Sequence, residues 1–142
     1  MSYEQLSVGQ HIVGKPFSPT RESIRSFCEV SLDFNPLHLD DNYMKGDFGK
    51  TNFGGIIMHG MNNFGVITKM LTDWLYEQSA EQRRLETRWK APVKPGDTIT
   101  PKGRITALKN TEKSRWVILD VEVVNQRNEV VAVGEAMAEF PI

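Results

Sequence analysis

Asp33 and His38 are the residues of this chain best equipped for chemistry, and they sit in one short stretch, Asp33-Phe34-Asn35-Pro36-Leu37-His38. Proline fixes its own backbone and pushes the residue before it out of the helical region, so Asn35-Pro36 makes a stiff turn between carboxylate and imidazole. A carboxylate takes a proton, and an imidazole gives or takes one near neutral pH. Downstream, Gly54-Gly55-Ile56-Ile57-Met58-His59-Gly60-Met61 opens a long apolar segment. A backbone amide at the start of a buried helix there would face developing negative charge. These parts suffice to hold one water against an activated carbonyl compound. Each also has a plainer reading. An Asp beside Asn-Pro commonly bonds its own turn, and a lone loop histidine is commonly solvated or simply hydrogen-bonded.

Other chemistries find less support. The histidines fall at 11, 38 and 59 and the single cysteine at 28, without the short-range ligand pairs of zinc sites, so no metal is expected. No serine lies in a nucleophile-elbow context, and no glycine-rich phosphate loop is present. Cys28 lies in an apolar helical pattern and reads as a small core residue. His59 reads as a satisfied structural histidine and His11 as incidental.

The elements that must position these groups follow from periodicity. Val8 to Pro16 reads as a short strand or extended lead-in. Ser18 or Thr20 caps a helix over about 20–30, with Pro19 in its first turn and Ile24, Phe27 and Cys28 on one face. Asp40, Asp41 and Asn42 cap a brief helical turn. Gly46, Gly49, Gly54 and Gly55 mark a mobile loop of about 46–55. From Ile56 to Tyr76 apolar residues recur at helical spacing around most of the circumference, which predicts a buried helix. Four strand-like stretches follow, starting near Leu85, Thr98, Trp116 and Val130. Pro101 and Gly103 predict an edge position or a bulge in the second of these. Helices followed by an antiparallel meander is α+β order, and the economical packing is a curved sheet laid around the long helix.

The chain's 142 residues suit one domain, 1–142. Seventeen basic and eighteen acidic side chains leave a net charge of -1, which gives no general attraction to nucleic acid or membrane surfaces. The first residues form neither a basic leader nor an apolar run, no window has the length of a membrane span, and the expected location is cytoplasmic.

Phe27-Cys28-Glu29-Val30-Ser31-Leu32-Asp33-Phe34-Asn35-Pro36-Leu37-His38-Leu39-Asp40 resembles the signature of the MaoC-like dehydratases, the (R)-specific enoyl-CoA hydratases. Ile57-Met58-His59-Gly60-Met61 resembles that family's second motif. Trp89 to Asp97 resembles its third landmark, and Val133 to Ala138 its last strand. The resemblance implies the hotdog fold, a curved antiparallel β-sheet wrapped around one long central helix, and a homodimer or higher homo-oligomer. It implies reversible syn addition of water to a trans-2-enoyl thioester carried by coenzyme A or acyl carrier protein, without a cofactor. It makes Asp33 and His38 the catalytic pair, the Gly60 amide the oxyanion hole, and Asn35, Pro36 and Thr68 supporting residues. A hotdog acyl-CoA thioesterase and a non-catalytic acyl-CoA-binding protein are the alternatives.

Two departures from the family pattern stand out. Leu32 lies where relatives usually carry glycine or another small or polar residue. Asn62 and Asn63 follow Gly60-Met61 where relatives are commonly aliphatic. The asparagines read equally as first-turn polar residues or as a more polar or shorter acyl pocket. Lys45, Lys50, Lys90, Lys94 and Lys102 are candidate partners for coenzyme A phosphates, and the loop of about 46–55 is placed to close over the acyl chain.

Overall fold

The apolar run that dominates the sequence forms a helix of sixteen residues, here called α3 (Gly60–Leu75). The computed structural model describes residues 2–46 and 53–142. The centre of the glycine-punctuated loop, with Lys50 in it, lies outside the described residues. Ahead of α3 come β1 (His11–Val13), α1 (Arg21–Ser31), a 3-10 turn at Pro36–His38 and α2 (Asp41–Lys45). After it come β2 (Glu81–Trp89), β3 (Thr100–Asn110), β4 (Arg115–Val124) and β5 (Val130–Phe140).

Among the described residues these strands form one antiparallel sheet in the order β1-β3-β4-β5-β2. Alternation along each strand decides which face meets α3. Val117, Leu119, Val121 and Val123 of β4 point to the core, as do Ala132, Ala136 and Ala138 of β5. Against them α3 buries Ile67, Met70, Leu71 and Leu75. The expected curved sheet around one long helix is therefore present.

The boundaries differ in instructive ways. Apolar character begins at Ile56, yet α3 starts at Gly60. The intervening backbone is spent elsewhere: Ile57 N–H donates to the Leu37 carbonyl at 3.0 Å and Met58 N–H to the Val93 carbonyl at 2.7 Å. The far side of α3 is not wrapped; Lys69 and Asp73 are exposed there and pair at 2.8 Å. In β3 the register shift falls between Ile105 and Ala107, not at Pro101 or Gly103. Gly103 pairs with Ile12 on one side and Val121 on the other, so it lies inside the sheet. Pro101 lies beyond the end of β1 and accepts from Gly14 N–H at 2.9 Å, which leaves its missing donor opposite a strand that has run out.

Helix α1 starts as its cap predicts. Thr20 accepts from Ser23 N–H at 3.0 Å, and Ser23 Oγ accepts from Thr20 N–H at 2.9 Å. Pro19 precedes this cap and so lies outside the helix rather than in its first turn. The helix ends on Leu32 at φ 61° and ψ 20°, the left-handed conformation, with the side chain 77% exposed. This gives a physical reason for glycine at this position, because a β-carbon there costs on the order of 1 kcal/mol. Leu32→Gly is accordingly expected to stabilise the fold by up to about 1 kcal/mol, read as a higher urea midpoint at unchanged slope. A lower midpoint would show that the leucine side chain contributes more than the strain costs.

Candidate active site

The end of α1 and the turn after it fix the acid. Asp33 N–H donates to Ser31 Oγ at 3.2 Å, and Asp33 Oδ1 accepts from Asn35 N–H at 3.2 Å. Asn35 Oδ1 accepts from Leu37 N–H at 3.1 Å, and Pro36 opens the 3-10 turn that carries His38. Asn35 and Pro36 thus build the turn. The His38 side chain is buried, and its Nδ1 lies 2.7 Å from the Ile57 carbonyl. A carbonyl only accepts, so Nδ1 carries the proton and Nε2 is left with a lone pair when the ring is neutral. That nitrogen lies 3.8 Å from Asp33 Oδ2, on a carboxylate 53% exposed.

The distance matters chemically. At 3.8 Å the two groups are too far apart for a direct hydrogen bond, and both are acceptors. A molecule about 2.8 Å from each, with two donor hydrogens, satisfies both at once. Water is that molecule. Its oxygen lone pairs are then turned away from the pair and free to attack.

His59 lies closer to this pair than its place in the sequence suggests. Its ring stacks on His38 with centroids 3.6 Å apart and planes 18° from parallel. Its Nε2 lies 3.1 Å from the Asp33 carbonyl and 3.5 Å from Cys28 Sγ. The carbonyl assigns the proton to Nε2, and Nδ1 is then a buried acceptor without a partner. The expectation of a satisfied histidine holds for one nitrogen only. Burial pushes His59 below the ordinary histidine value; the bond to the Asp33 carbonyl pulls it partly back, and His38 repels its charged form. Burial, reinforced by the Asp33 charge, raises the Cys28 thiol, which fits a core residue and not a nucleophile. Asp33, His38 and His59 bring possible ligand atoms within 4.8 Å of one another. This proximity was invisible in the separation along the chain. His59 Nε2 is committed to the Asp33 carbonyl, so the open lone pair of that ring is on Nδ1.

Gly60 is the first residue of α3, and no side chain caps that end. Asn62 N–H donates to the His59 carbonyl at 3.0 Å, and the Gly60 and Met61 N–H groups have no intrahelical acceptor. A β-carbon at Gly60 would lie 2.5 Å from Trp89 Cε2 and Nε1, so it is the indole that needs the space. Trp89 also lines a cavity of about 250 Å³ with Phe53, Ile57, Met58, Asn63 and Val93. Trp89 and His59 are the site residues that sequence reasoning underrated. The Trp89 signal was its place in the third landmark.

Other expected residues lie further off. Thr68 is eight residues along α3 from Gly60, about 12 Å of helical rise, and its buried Oγ1 bonds neither Asp33 nor His38. Of the lysines, Lys90 borders the cavity. Lys102, with His11, borders an open groove of about 830 Å³. Its charged residues alternate with core residues along β3, β4 and β5, which puts the groove on the sheet face turned away from α3.

The chain is similar to known proteins over nearly its whole length. The profile of the MaoC like domain matches residues 4–127. An (R)-specific enoyl-CoA hydratase of Aeromonas caviae is 30% identical over 142 residues, covering 99% of this chain and all of that one. A 3-hydroxybutyryl-CoA dehydratase of Methylorubrum extorquens is 29% identical, covering 98% of this chain and 83% of the relative. The solved structure of an (R)-hydratase from A. caviae superimposes with a TM-score of 0.83 at 28% identity, covering 97% of this chain and 99% of that one.

The buried neutral His59 has a consequence for stability. The folded chain resists protonating this ring, whose ordinary value is 6.5, and the unfolded chain does not. Unfolding therefore takes up a proton as pH falls through that value, and stability falls with it. The melting temperature is expected to drop between about pH 7 and about pH 5. His59→Gln, which keeps an N–H donor, should flatten the slope in that window. Equal slopes would remove His59 as the source.

Proposed function

The chain belongs to the MaoC-like domain family and has its hotdog fold, and from that premise we propose that it is an (R)-specific enoyl-CoA hydratase working in either direction. The single observation that carries this reading is the acceptor pair Asp33 Oδ2 and His38 Nε2, 3.8 Å apart beside the uncapped start of α3. In hydration, the water held by the pair forms the C3–O bond, and the alkene electrons move onto the thioester oxygen. That oxygen is met by the Gly60 N–H and the positive end of the helix dipole. Asp33 or His38 takes one water proton. The ring proton of His38 is committed to the Ile57 carbonyl, so the proton returned to C2 is the one just taken from water. Oxygen and hydrogen then add to the same face, and the pair ends as it began.

The acyl group is carried by coenzyme A or an acyl carrier protein, and no cofactor enters. The working unit is a single domain spanning 1–142, associated as a homodimer or higher homo-oligomer. Support comes from exposed apolar side chains at Val30, Leu32, Phe34, Met61 and Trp89, and from the free outer edge of β2. A buried, reduced Cys28 suits the cytoplasm. No described helix is long and apolar enough to cross a membrane.

Loss of enoyl absorbance from crotonyl-CoA should show turnover, and Asp33→Asn and His38→Ala should each lower kcat by about 10²–10⁴-fold. Asp33→Asn should leave the melting temperature near the wild-type value, whereas His38→Ala should lower it, because it empties a buried ring site and leaves the Ile57 carbonyl unpaired. Near-normal turnover in either variant would reject the assigned roles. Light scattering should give a solution mass at least twice that of the 16.1 kDa chain; a monomer would reject the oligomer.

A further inference from the structure

The cavity beside Gly60 has apolar walls and one uncharged polar side chain, whose oxygen is unpaired. Phe53, Ile57, Met58, Trp89 and Val93 supply apolar surface, and Lys90 borders the space as well. Asn63 also lines it, is 3% exposed, and has an Oδ1 sealed from solvent with no hydrogen-bond partner. A buried amide oxygen without a partner forfeits its hydration and gains nothing in return, so sites of this kind are ones where a ligand can supply the missing bond once the amide turns toward it. Nothing in the packing of α3 requires an amide there. Asn63 shares its helix face with Ile67 and Met70, and both are plain core residues.

The position of Asn63 says which part of a ligand it meets. It lies three residues after Gly60, on the same side of the helix and about 4.5 Å of rise further in. If a thioester oxygen rests on the Gly60 amide, that rise equals about three carbon–carbon bonds and brings Asn63 level with C4 of the acyl chain. The cavity of about 250 Å³ holds roughly eight water-sized groups, which suits a short chain. A half-turn of the amide exchanges its oxygen and nitrogen. A hydroxyl, being donor and acceptor together, satisfies either arrangement.

Resting on the hydratase reading above, we infer that Asn63 is a specificity-determining residue that selects short enoyl thioesters carrying a hydroxyl at or near C4 over their plain alkyl counterparts. An alkyl chain in the same space leaves the amide unpaired, and discrimination arises from that unpaired group.

The test compares kcat/KM for 4-hydroxycrotonyl-CoA and crotonyl-CoA in the wild type, Asn63→Leu and Asn63→Ser. The wild type should prefer the hydroxylated substrate by about tenfold or more. Asn63→Leu should lower that ratio to one or less, and Asn63→Ser should fall between. A ratio near one in the wild type, or the same ratio in wild type and Asn63→Leu, overturns the assignment while the hydratase reading stands. Should the wild type turn over neither thioester, the hydratase reading itself fails. Calorimetric binding of 4-hydroxybutyryl-CoA against butyryl-CoA then decides the pocket. A hydroxyl preference that disappears in Asn63→Leu keeps the assignment, and no preference, or no binding, removes it.

Discussion

The arrangement of the site depends on one hydrogen bond, from His38 Nδ1–H to the Ile57 carbonyl at 2.7 Å. It fixes which ring nitrogen carries the proton and turns the other toward Asp33. It also ties the turn after α1 to the extended lead-in of α3. The amide bond from Ile57 N–H to the Leu37 carbonyl clamps the same two segments from the other direction. The acid–base pair and the helix end are thereby held in one rigid frame. Their relative placement is a property of the fold and not of loop conformation.

That frame rests on the packing of α3 against the sheet. The helix cannot slide along its axis without lifting Ile67, Met70, Leu71 and Leu75 from the core they share with β2, β3 and β4, and close-packed interiors resist such shifts. The backbone strain at Leu32 has a use. The left-handed Leu32 reverses the chain sharply after α1, which brings the Asp33 carbonyl onto His59 and its carboxylate toward His38.

Much of this was legible in the sequence because it rests on local chemistry. The Thr20 cap and the spacing of Ile24, Phe27 and Cys28 announce α1. The Asp-x-Asn-Pro-x-His turn announces the pair, and alternation announces the strands. What escaped depends on partners distant in sequence. Ile56 to His59 read as helix because their apolar character is visible, and their backbone acceptors at Leu37 and Val93 are not. His59 looked peripheral because nothing local reveals a ring stacked on His38. The need for glycine at position 60 was hidden as well, because Trp89, from the strand after the helix, fills the space a β-carbon would take. The register shift in β3 went to Pro101 and Gly103, the residues that permit one, rather than to Ile105 and Ala107, where β4 requires it.

The indole set against Gly60 has an optical corollary. Trp89 lies against the start of α3 and also borders the cavity beside it, so its excited state feels both the helix field and whatever enters that space. Indole emission shifts in wavelength with local polarity. The chain therefore carries its own chromophore at the mouth of the site, and occupancy can be followed by intrinsic fluorescence without a label, with Trp74 and Trp116 as the background to be subtracted.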